Sequence, residues 1–204
     1  MVAWDLRPYR VWISARDTYW CQYAYQFSHE LCHILVNFDQ VRRHRHKWFE
    51  ESICELSALF ALHGLSREFQ RRPPSEVLGA REFAPHFATY AKQVERRAQP
   101  VLRADLPNWL CSNIRHLEAS ITDRNLNRVV AAALLDDFLA DKSLWRDCGF
   151  LNRWKARTDR TFADHMDSWN DFLRGKGFVP RTPRLVKTLL FGTGKGDRVL
   201  ASDG

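Results

Sequence analysis

The chain has 204 residues, 45% of them apolar, with nine glycines and eight prolines, which excludes a disordered chain and leaves room for an ordinary domain with a core that needs no staples. Its net charge of +7 favours acidic partners such as nucleic acid, anionic lipid or an acidic substrate, without choosing among them. The five cysteines (Cys21, Cys32, Cys54, Cys111, Cys148) contain no CxxC pair, no apolar run approaches the roughly 18 residues of a membrane span, and the N-terminus lacks a signal-peptide profile, so the cytoplasm is the expected location.

The stretch 9-YRVWIS-14 alternates, with Val11 and Ile13 on one face, and is read as a short strand. Asp17 or Thr18 then caps a long helix to about Asn37. Within it Trp20, Ala24, Phe27, Leu31, Ile34 and Phe38 recur at spacings of three and four, the pattern of a core-facing stripe. Gln22, Gln26, His29 and His33 fall on a different face. The basic run 41-VRRHRHK-47 is expected to be a solvent-facing connector, its Arg42, Arg43, Arg45 and Lys47 solvated and its His44 and His46 in the same loop. A second helix spans about Trp48 to His63 and stops at Gly64.

Residues 65–79, with Pro73, Pro74 and Gly79, read as a looped crossover, and helical patterns return at about 80–98, 107–120, 123–140 and 161–174. The segment 191-FGTGKGD-197 lacks the spacing of a phosphate loop and is read as a loose tail. The expected fold class is mainly α, with little sheet. Residues 1–100 are expected to form one region, and residues 101–204 a helical C-terminal region packed on it as one unit.

The chemistry-bearing stretch is 26-QFSHELCHIL-35. On a helix, His29 and His33 lie one above the other on one face, close enough to bind one ion. Glu30 is turned about 100° from His29, so it can approach a metal-bound water without being a ligand. Neutral imidazoles are zinc ligands, zinc acidifies its water, and a nearby carboxylate takes the proton. The plain alternative is a helix that happens to hold two partly satisfied histidines. A catalytic zinc also needs a third protein ligand. The segment 48-WFEESICE-55 offers Glu51, with Glu55 placed to accept a hydrogen bond from the non-ligating nitrogen of His29 or His33.

HExxH followed by a second helix of the form W-x-x-E-x-x-x-E resembles the gluzincin metallopeptidases, most closely their aminopeptidase-N-like branch. The resemblance covers about residues 25–60. It implies a zincin-like helix pair, one zinc ion per chain held by His29, His33 and Glu51, Glu30 as general base, and a peptide or protein substrate. No Gly-x-Met-x-Asn exopeptidase motif is present, and residues 10–14 are all that could stand for the family's substrate-binding sheet edge.

The resemblance also asks for a downstream oxyanion donor. Tyr90 is the first candidate, with His86 and His116 behind it, and the competing reading of each is an ordinary helix residue. Cys32 is expected to be a small buried residue pointing away from the histidines. Trp109, Trp145, Trp154 and Trp169 are expected to be core or helix-contact residues, not a base-stacking platform. The alternative function is a non-catalytic, zinc-stabilised helical protein that binds an acidic partner or nucleic acid.

Overall fold

The computed structural model describes residues 9–38, 44–154 and 161–192. Arg42, Arg43 and most of the 191–197 segment lie outside the described residues. Among those described there are eight α-helices and no strand: α1 (Trp20–Leu35), α2 (Lys47–Arg71), α3 (Ala84–Arg97), α4 (Leu106–Ala119), α5 (Arg124–Ala140), α6 (Leu144–Cys148), α7 (Phe162–Gly175) and α8 (Thr182–Phe191). The chain is mainly α. Among the described residues no helix is long and apolar enough to cross a membrane.

The local chemistry explains several boundaries. Asp123 accepts hydrogen bonds from the amides of Asn125 and Leu126 and so starts α5. Thr161 and Asp164 form a reciprocal capping box at the head of α7. Proline stands in the first turn of α3, α4 and α8, where its missing N–H leaves no bond unmade. Gly79 takes φ 70°, a left-handed conformation that glycine reaches without a Cβ penalty, just before the 3-10 turn that leads into α3.

α2 is the axis of the fold. It packs against α1, α3 and α5, and residues all around its circumference are buried, from Trp48 and Phe49 to Leu59 and Leu62. One core cluster runs from Tyr25 to Leu190. Trp48, Phe49, Phe162 and Trp169 meet in it, with ring centroids 4.6 Å apart for Trp48–Phe162 and 5.2 Å for Phe49–Phe162. Each such large apolar side chain stabilises the fold by about 1.5–3 kcal/mol when fully buried. Trp169 is fully buried and Trp154 stacks on it, while Trp109 and Trp145 pack on the core from its edge, in keeping with packing roles for all four.

Four expectations are corrected. Residues 9–14 form no strand: a strand needs a neighbour's backbone, and here the amides of Ser14 and Ala15 bond to the Gln26 side chain of α1. Neither Asp17 nor Thr18 caps α1, since Tyr19 occupies that position without a side-chain bond and Asp17 sits at φ 55°. α2 does not stop at Gly64 but continues to Arg71, because its packing outweighs the propensity cost of one mid-helix glycine. The core-facing side of α1 is also different. Trp20, Phe27 and Phe38 are exposed, and the buried row is Tyr25, His29, Cys32 and Val36. The helix turns its polar-bearing face inward because α2 supplies partners for those polar groups. Cys32 is buried, as expected.

Candidate metal centre

α1 and α2 run antiparallel. The Ser28 carbonyl accepts from the Ser57 hydroxyl, Cys32 Sγ lies 3.7 Å from the Ile53 carbonyl, and His33 meets Glu50. This crossing brings His29, His33 and Glu51 together, with one potential ligand atom of each within 4.8 Å of the others. His29 Nε2 is 3.5 Å from Glu51 Oε2, and His33 Nε2 is 3.7 Å from Glu51 Oε1. Two donors at about 2.1 Å from one tetrahedral zinc stand about 3.4 Å apart, so both spacings suit a shared ion. His29 is buried, whereas the side chains of His33 and Glu51 keep 17% and 23% of their exposure. The cluster therefore opens to solvent on one side.

Each imidazole turns its other nitrogen to a carboxylate. His33 Nδ1 is 2.8 Å from Glu50 Oε1. Glu50 is itself held by Lys47 and by Asn152, whose amide nitrogen donates to Oε2 at 2.6 Å. Burial alone disfavours the charged forms of both groups. The bonds from His33, Lys47 and Asn152 nonetheless hold Glu50 below the usual carboxylate range, and the Glu50 bond with the Glu51 and Glu50 charges raises His33 above an ordinary histidine.

His29 Nδ1 is 3.7 Å from Glu55 Oε1, and both atoms are buried without a hydrogen-bond partner. Coordination through Nε2 places the proton of His29 on Nδ1, beside Glu55, and so would resolve both orphans. Glu55 is fully buried yet well supported. Tyr25 donates its hydroxyl to it, Arg128 Nε lies 3.1 Å away, and Arg124 Nε lies 3.6 Å away. Burial, together with the Glu55 charge, pushes the Tyr25 hydroxyl well above its ordinary range, so it remains a donor.

The other expected site residues stand as follows. Glu30 is half-buried on α1, next to His29, and makes no hydrogen bond or ion pair with the described residues. Tyr90, on α3, is half-buried and meets Tyr25 edge-on at 5.9 Å. Burial raises its hydroxyl pKa. His86 is exposed on α3. His116 bonds to Asp123 at 2.9 Å, on the α4–α5 turn.

Sequence reasoning missed the roles of Glu50, Tyr25 and Arg128. Tyr25 lies four residues before His29 and Glu50 three after Lys47, spacings that carry a weak signal. Arg128 comes from α5, and nothing near the motif announces it. The connector is also corrected. Lys47 turns inward to Glu50, and His44 and His46 are buried instead of solvated. Family models, curated protein sequences and solved structures give no match to this chain.

Proposed function

We propose that His29, His33 and Glu51 hold one zinc ion and that the chain is a metallohydrolase, most simply a peptidase of gluzincin type. The observation that carries this reading is the convergence of both Nε2 atoms on Glu51, with a separate carboxylate behind each Nδ1. Three protein donors, the number found among the described residues, suit a catalytic site, because structural zinc sites close with four. When bound, zinc supplies Lewis acidity and lowers the pKa of water.

The residues of the chain then divide the work. Glu50 and Glu55 set the tautomer and orientation of His33 and His29. Glu30, without a competing partner among the described residues, takes a proton from water and passes it to the leaving amine. Tyr90 is the proposed donor to the oxyanion, and Tyr90→Phe would lower turnover by about a hundredfold or more if it fills that role.

The test pairs metal content with turnover of a mixed peptide substrate. Wild type is expected to carry zinc at this centre. Glu30→Gln is expected to keep the metal while losing about a hundredfold or more in turnover. Wild-type protein without zinc would overturn the centre. Turnover unchanged in Glu30→Gln would overturn the mechanism, whereas bound zinc without any turnover in wild type would favour a zinc that only staples α1 to α2 in a protein that binds an acidic partner or nucleic acid.

A further inference from the structure

A second group of histidines meets away from that centre. His44 and His46 come from the connector that leads into α2, and His165 comes from α7. Their exposures are 7%, 1% and 5%. Ring centroids are 5.1 Å apart for His46–His165, 5.3 Å for His44–His165 and 6.2 Å for His44–His46. The proposed ligand pair His29–His33 stands at 5.1 Å by the same measure. Three imidazoles on one tetrahedral ion, each bonded at about 2.1 Å, would place their centroids about 5 Å apart. Two of the three spacings match this value, and the third exceeds it by about one ångström.

The chemistry of the three rings agrees with their spacing. Burial, reinforced by the neighbouring histidines, holds His44 down to about 4 and His165 down to about 3. Both are therefore neutral near pH 7 and carry the lone pair that a metal needs. His44 Nδ1 is buried without a hydrogen-bond partner. Glu118 Oε1 lies 3.3 Å from His46 Nδ1 and 3.0 Å from Arg45 Nε, a carboxylate behind an imidazole as at the first centre. Phe162 and Trp154 wall the group, at 5.7 Å from His46 and 5.2 Å from His165.

We propose that His44, His46 and His165 form a second site for a divalent transition-metal ion of the zinc class, one that ties the connector to α7. Imidazole-rich sites suit zinc, nickel and copper. Among the described residues, only the first centre already has its donors gathered within 4.8 Å. Binding at the second site therefore turns the rings, and its affinity is the lower of the two. An ion here would brace the segment that delivers Lys47, and through it Glu50, to His33.

The experiment removes the first centre and titrates the second. Full-length His29→Ala/His33→Ala protein, stripped with a chelator, is titrated with zinc alone and then with cobalt(II) as an absorbing probe. The expected result is one equivalent bound, weakened by about tenfold or more when His44→Gln or His165→Gln is added. Circular dichroism establishes that each variant is folded. In the unsubstituted chain, histidine-ring NMR signals of His44 and His165 should move with the second equivalent of zinc. No binding in the double variant, or no response of those signals, would overturn the second site. Because the titrated protein lacks His29 and His33, either result is independent of the first centre.

Discussion

His33 Nδ1 lies 2.8 Å from Glu50 Oε1, which leaves Nε2 directed at Glu51, 3.7 Å away. Glu50 thus chooses which nitrogen of His33 is offered to an ion. Carboxylates in this position typically account for about 10–100-fold in metal affinity. Glu50→Ala should weaken zinc binding by that order, and Glu50→Gln, which retains an acceptor, by less. A competition titration against a chromogenic chelator measures both. Wild-type affinity in Glu50→Ala would remove the role.

Zinc that binds only the folded chain stabilises it by about 2.7 kcal/mol at a hundredfold excess over Kd. For a chain of this size each kcal/mol moves Tm by about 2–4 °C. Chelation should therefore lower Tm by about 5–10 °C, as read by scanning calorimetry. His29→Ala should largely abolish that response, leaving only what the weaker second site contributes.

Glu55 is fully buried, and Arg128 is its closest cation. Removing one partner of a buried pair leaves an uncompensated charge and typically destabilises by about 3–5 kcal/mol. Arg128→Leu should fall near the lower end, about 3 kcal/mol, because Arg124 remains 3.6 Å from Glu55. Urea unfolding gives the value. The double variant with Glu55→Gln should recover part of the loss.

Asp123 caps α5, and its pKa is depressed. Partial burial would raise it, but the His116 bond and the amides of Leu126 and Asn125 outweigh that effect. A folded-state pKa below the unfolded value means stability present above the unfolded pKa, about 3.9, and lost as pH falls through the folded value. Asp123→Ala should cost about 1 kcal/mol at pH 7. The gap from wild type should narrow below about pH 4, in urea midpoints measured across that range.

Gly64 lies inside α2, and a Cβ placed on it would meet nothing within 4 Å. Gly64→Ala should therefore stabilise the protein by about 0.5–1 kcal/mol, measured in the same unfolding assay. Destabilisation would mean that the position serves a contact beyond this chain.

The sequence by itself was enough to determine a mainly helical chain and to join His29, His33 and Glu51 in one hypothesis. The helices and the His29–His33 pair rest on local periodicity, and Glu51 joins them through the need for a third ligand and the resemblance of 48-WFEESICE-55. The i,i+4 spacing sets two histidines on one face, and the apolar repeats announce most of the longer helices. The tertiary structure decided which face of α1 turns inward, because that depended on Tyr25 and Arg128 satisfying Glu55 from two different helices. It also decided that Glu50 orients His33, that α2 runs through Gly64, and that His44 and His46 meet His165 across more than a hundred residues. Polar groups are buried only where the folded chain brings them partners, and those partners have no fixed separation in sequence.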